Sequence, residues 1–374
     1  MVRHKPFSLA VTLGVSILLT VSAGLASASD NSVTFKHTIN PPSTTSFDIS
    51  WVENSTGKYF LADRTNKAVD LVDAKTDTFL GYIGKGVFVG RIPPASCAGG
   101  GNTCSGPDGV LTDDAGLVWV GDGDSTIKVL RPTPNTGAAA LIKTIKTDPK
   151  GKFRADELAY DPQDQLIVIA NDAEGFLTFI DVTHKTVAGH FYYADNTVGA
   201  PASVRGHATA GNGLEQSVWV LQTGLFYQAV PANSPTVEGF IDVFDPRTMS
   251  LVDTFPVPGC DNGPTGLALG PNQKVLGACD NGAASVELRH GQLHKFLTEV
   301  GGADQIWFNP GDDNFYLGIG GPPAKLGVVN ANDDHVVTVI SGKGGHSVAA
   351  YAGNNHIFDP DRNGTGIDVF VSGR

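Results

Sequence analysis

Short apolar runs of four to seven residues, each closed by Gly, Asn, Asp or Pro, recur along nearly the whole chain. In "GPDGVLTDDAGLVWVGDGDSTIKVL", residues 106–130, three such runs stand in series with acidic residues between them. Those acidic residues do not make an EF-hand. With Asp122 and Asp124 at positions 1 and 3, position 6, which must be Gly, is Ile127. The runs therefore read as strands and the acidic residues as their turns.

The same unit returns about every 40 to 55 residues. It starts at Phe47, Pro107, Ala155, Pro264, Ala303 and Gly345, with a distorted copy that begins at Gly206 ("GHATAGNGLEQSVWVLQ") and resumes at Val237. Most copies carry a fourth run: "TFLGYIG", "ALIKTIK", "KTVAGHFYY", "MSLVDTFPV", "GQLHKFL" and "DHVVTVI". Four strands per copy and seven copies predict an all-β, seven-bladed β-propeller with little room for helix. The seventh copy has three strands before Arg374, and "SVTFKHTIN", residues 32–40, supplies the fourth, closing the ring and covering an edge. A six-bladed count would require discarding the irregular fourth copy.

Ahead of the repeats, a basic start at Arg3, His4 and Lys5, an apolar run and Ala26-x-Ala28 predict a signal peptide over 1–28, leaving 29–374 as one domain. An uncleaved anchor is the rival reading. No later run is long enough to span a membrane. The secreted or periplasmic location expected from this leader suits the four cysteines, for which the pairs Cys97–Cys104 and Cys260–Cys279 are expected. A metal site made of all four is the rival reading, but no C-x-x-C pair is present. The formal net charge is −12, and −14 without Arg3 and Lys5. With no basic patch, nucleic acid is not an expected partner.

The rhythm of "DELAYDPQDQLIVIANDAEGFLTFIDV", residues 156–182, and the opening "GHSVAAY" at 345 resemble the YncE-like, or YVTN-type, family of exported propellers. The resemblance covers most of residues 32–371. The YVTN tetrad itself is replaced by "YFLAD", "VWVGD", "VIAND", "LGACD" and "YLGIG". What the resemblance implies is a binding or scaffold protein, in some members with a bound ligand or nucleic acid. Single blades such as "GPDGVLTDDAGLVWVGD" also resemble lactonase-type (SMP-30-like) propellers. Their Glu/Asn/Asn/Asp metal set has no counterpart here.

Aligning the copies on their second strands gives one residue that opens each first strand: Asp48, Asp108, Asp156, His207, Thr265, Asp304 and His346. Its distance to the second strand is ten or eleven residues in every copy. The innermost strands line the central channel, so these residues form a ring at one mouth. Asp304, His346 and Asp48 become neighbours there, and Asp156 neighbours His207. Carboxylates and imidazoles suit a divalent ion (Ca, Mg or Zn), with Asp48, His207, Asp304 and His346 as ligands. The other reading is turn chemistry, each Asp fixing nearby backbone amides. Crowded carboxylates raise one another's pKa unless a cation or a positive group lies between them. Alternation along a strand directs Glu157 and Gln305, next in sequence, away from the channel.

The long connections gather on the ring's face. They are Lys85–Gly106 with its disulfide, "YADNTVGAPASVRG" before His207, and "TGLFYQAVPANSPT" in the fourth copy, where Phe226 and Tyr227 are candidate contacts. No G-x-S-x-G, H-E-x-x-H, haem-attachment or phosphate-loop motif occurs. Two functions follow. One is a binding or interaction module, monomeric, holding a small molecule or protein on the stapled face. The other is a metal-dependent lactone or ester hydrolase with Asp108 or Asp156 as general base. A lyase using a channel histidine as base is a third reading.

Overall fold

Between the third and fourth strands of most blades the chain reverses on an acidic or amide side chain. Asp73 Oδ1 accepts from Lys75 N at 3.0 Å, Asp181 Oδ1 from His184 N at 2.8 Å, Asp245 Oδ1 from Arg247 N at 3.0 Å and Asn330 Oδ1 from Asn332 N at 3.0 Å. Just before the fourth strand, Asp77, Lys185, Met249 and Asp334 take positive φ. One side chain thus completes each turn and one left-handed residue ends it. Repeated down the chain, these turns give 28 strands in seven four-stranded antiparallel sheets. The structure, a computed structural model, describes residues 32–41, 44–193, 213–231, 238–361 and 366–373. The leader and His207 lie outside them.

The first strands are Phe47–Glu53, Val110–Thr112, Leu158–Asp161, Ser217–Val220, Leu267–Leu269, Ala303–Asn309 and Ala349–Tyr351. Each touches the first strand of the next blade, and the seventh touches the first, so the ring is closed. All six fourth strands expected from the sequence form: Thr78–Ile83, Ala139–Lys146, Thr186–Tyr192, Ser250–Val257, Gln292–Leu297 and Val336–Ser341. Both expected disulfides are present. No helix of the described residues is long and apolar enough to cross a membrane.

The core lies between neighbouring blades, where the facing sheets interdigitate. Tyr59 of blade one meets Phe358 of blade seven with ring centroids 4.8 Å apart. Phe179 of blade three meets Phe226 of blade four at 6.5 Å. Trp119 is fully buried and its indole N–H donates to Asp113 Oδ2 at 2.9 Å. Each such side chain contributes roughly 1.5–3 kcal/mol by leaving water.

Blade seven is completed by Val33–Ile39, which pairs antiparallel with Ile367–Ser372 from Val33↔Ser372 to Ile39↔Ile367. Val33 and Ile39 are buried at its two ends. Deleting residues 32–40 would bare that edge beside the buried Val369 and Phe370. The truncated protein is expected to aggregate on size-exclusion chromatography and to recover when the matching peptide is supplied in trans. A monomer with an unchanged melt would show that the strand does not close the ring.

Candidate functional site

Backbone pairing fixes which residues are equivalent at the channel mouth. Asp108 N donates to Gly121 O at 3.0 Å, Asp156 N to Ala170 O at 2.8 Å, Glu215 N to Ala229 O at 3.2 Å and Thr265 N to Ala278 O at 3.0 Å. Glu215 therefore holds the blade-four place that strand spacing assigns to His207. The reason is a strand read as a loop. Ser217–Val220 is the first strand of blade four, and Leu225–Val230 is the second. "LFYQAV" is buried almost throughout, so it lacks the alternation that marks a half-buried strand. Phe226 and Tyr227 are accordingly core residues rather than ligand contacts.

Two glycines let the inner strands approach closely. A Cβ on Gly109 would lie 2.2 Å from Asp156 O, and one on Gly266 would lie 2.4 Å from Asp304 O. The ring residues beside them are thereby drawn together. His346 Nε2 stands 2.7 Å from Asp48 Oδ1 and 2.8 Å from Asp304 Oδ2. Arg64, just past the second strand of blade one, donates through Nη2 to both Asp48 and Asp108, and through Nε to Asp108 Oδ1 at 3.1 Å. Arg154, two residues before Asp156, reaches Asp156 and Asp172, each at 2.7 Å. Arg64 and Arg154 are almost wholly buried.

Among the described residues no backbone amide donates to the side chains of Asp48, Asp108, Asp156 or Asp304. The turn reading of the ring thus fails. Amide capping in this chain is the work of other aspartates, such as Asp73 and Asp181. The ring aspartates are paired instead with cationic side chains.

The pKa values follow from that pairing. Burial pushes Asp48 up, but Arg64 and His346 outweigh it and hold the carboxyl well below its usual range. Burial would lower His346, yet Asp304 and Asp48 raise it to about 9. Burial, with the like charges of Asp48 and Asp172, lifts Asp156 to about 8 against Arg154. Burial also raises Asp108 well above normal despite Arg64. Glu215 is raised by burial and by Asp304, Asp172 and Asp156.

Two triads have metal-binding geometry, Asp48–Asp304–His346 and Asp48–Asp108–Asp156, with ligand-type atoms all within 4.8 Å of one another. Their chemistry fits a divalent ion in residue type. Donor atoms of both are, however, engaged: Asp48 Oδ2, Asp156 Oδ2 and Asp108 Oδ1 by guanidinium groups, and Asp48 Oδ1 and Asp304 Oδ2 by His346 Nε2. Asp108 Oδ2 is buried without a partner.

The disulfide loop covers this mouth. Asn102 Oδ1 accepts from Arg64 Nη1 at 2.8 Å, and Thr103 O accepts from Arg154 N at 2.8 Å. Beside the loop lies a groove of about 280 Å³ lined by Thr45, Ser46, Arg64, Arg91, Asn102 and Ser105.

Below the ring, Glu157 and Gln305 line the channel rather than pointing away from it. Alternation does not apply there. Glu157 precedes its strand, and the pairing slips between Ala303 and Gln305 and between Phe47 and Ser50. Gln305 stitches three blades: its Oε1 accepts from Ser50 N at 3.2 Å and Val348 N at 3.1 Å, and its Nε2 donates to Ser50 O at 2.8 Å.

Sequence reasoning missed Arg64, Arg154 and Glu215. Arg64 directly follows its strand and Arg154 stands two residues before Asp156, but nothing in the repeat spacing marks either as a partner of the ring. Fold and site together define a seven-bladed β-propeller whose channel mouth is closed by an ion-paired ring. No protein family and no curated protein matches the chain.

Proposed function

We propose that this chain is an exported, secreted or periplasmic binding module of the YncE-like kind, monomeric, with a small molecule or protein held on the loop-rich face. The observation that carries this reading is the double use of Arg64 and Arg154. They neutralise the ring and at the same time tie down the disulfide loop through Asn102 and Thr103. The result is a preformed rim beside a groove, which is what a binding face needs. Asp156 Oδ2 is held by Arg154 at 2.7 Å, which leaves it poorly placed to take a proton as a general base.

The alternative reading is a metal-dependent lactone or ester hydrolase. It is favoured by the convergence of Asp48, Asp304 and His346. These residues would hold a divalent ion that polarises a carbonyl, at the cost of displacing the existing ion pairs. Elemental mass spectrometry of metal-replete protein, beside an Asp304→Ala/His346→Ala variant, separates the two. The binding reading expects far less than one metal per chain in both. A stoichiometric metal, lost in the variant, would move the assignment to the hydrolase.

A further inference from the structure

Three of the chain's four tryptophans, Trp51, Trp219 and Trp307, line one cavity of about 390 Å³. It is the central channel on the side away from the ring, walled by the first strands of blades one to six. The contrast with Trp119 is informative. Trp119 is fully buried with its N–H bonded, whereas the three channel tryptophans are only half-buried. The indole N–H groups of Trp219 and Trp307 have no acceptor among the described residues. Tyr160 and Phe308 are half-buried in the same wall, and Trp51 and Trp307 meet edge to face at 5.3 Å. Five aromatic rings gathered, incompletely covered, around one concavity have the makings of a ligand cage.

The lining carries acidic side chains and no basic ones. Glu157, 3% exposed, contributes to the wall; burial and the nearby Asp156, Asp304 and Asp48 raise its carboxyl well above the usual range, and no hydrogen bond or salt bridge reaches it among the described residues. A second hollow shares Trp51, Tyr160 and Trp307 with this one and adds Glu53, Asp113 and Asp114 at the rim. Neither lining contains Lys, Arg or His. Aromatic faces attract cations, and a buried carboxyl without a partner gains most from one.

We infer that the aromatic end of the channel is a binding site for a small organic ammonium ion with an apolar body, the ammonium directed to Glu157 and the body packed among Trp51, Trp219 and Trp307. The aromatic part of the site is at the opposite end of the channel from the stapled loops, and Glu157 lies between it and the ring.

Benzyltrimethylammonium is a suitable probe, with benzyl alcohol as its neutral counterpart. Titrated into the full mature protein at neutral pH, it is expected to change tryptophan fluorescence saturably, with calorimetry giving the same affinity. Benzyl alcohol is expected to bind at least about tenfold more weakly. Glu157→Gln, which keeps shape, is expected to weaken the cation about tenfold or more without affecting the alcohol. Trp307→Ala is expected to abolish binding, with Trp219→Leu as the substitute should that variant misfold. Absence of saturable binding, equal affinity for the two probes, or an unaltered affinity in Glu157→Gln would each overturn the assignment.

Discussion

Replacing Arg64 by Ala is expected to cost about 3–5 kcal/mol of folding stability, the usual penalty for stranding a buried charge. The guanidinium lies between Asp48 and Asp108, both buried, and is itself almost fully enclosed. Without it the two carboxylates face each other in a site that water barely enters. The disulfide loop also loses the hold of Asn102 on the ring. A combined Asp48→Asn/Arg64→Met/Asp108→Asn variant is expected to recover most of the loss, because it removes the charges together. Urea unfolding followed by tryptophan fluorescence measures both. If Arg64→Ala cost less than about 1 kcal/mol, the pairing would be behaving like an exposed salt bridge and the ring would not be a buried unit.

The second large effect is expected with pH. His346 titrates at about 9 in the fold, against about 6.5 in an unfolded chain. The folded state therefore holds this proton more tightly. That stabilisation is complete below about pH 6.5 and is lost as pH rises through 9, a change of ~3 kcal/mol. Asp156, lifted to about 8, acts in the same direction. The unfolded chain releases its proton near pH 4 and the folded chain does not, so stability declines as pH climbs from there to 8. Asp48 has the opposite sign, since its lowered pKa contributes above the ordinary carboxylate range and fails only in strong acid. The melting temperature is thus expected to peak near pH 4 to 5, to decline above it and to fall most steeply between about 6.5 and 9, where both groups contribute. His346→Gln is expected to lessen the fall above about 6.5, leaving only the share that Asp156 carries up to about 8. A melting temperature that holds level or rises across that range would contradict the protonation pattern.

Most of the fold could be read from the chain because its signals are local. Asp or Asn at the strand-three turn and short apolar runs at regular spacing need no tertiary information. The closing strand at Val33–Ile39 was legible by arithmetic, one strand short at one end and one spare at the other. Blade four was misread because burial on both faces erases the alternation of Leu225–Val230. That single strand moved the ring position from Glu215 to His207 and put Phe226 and Tyr227 in a loop. The neighbours Asp48, Asp304 and His346 followed from cyclic order alone. Arg64 and Arg154 did not, because their role depends on side-chain reach across blades, which repeat spacing does not encode. The channel cage was likewise hidden. Trp51 and Trp307 are far apart in sequence and look like ordinary strand residues until the ring closes around them.

The central claim is that the ring's positive charge comes from the chain's own side chains, with His346 as an imidazolium shared by Asp48 and Asp304. Nitrogen-15 NMR of the histidine side chains, with His346 assigned by its Gln variant, tests this most directly. At about pH 7.5 the account predicts both ring nitrogens protonated and a titration near 9. A neutral His346 at that pH, with a free lone pair or a metal on Nε2, would contradict it and return the ring to the role of a metal site.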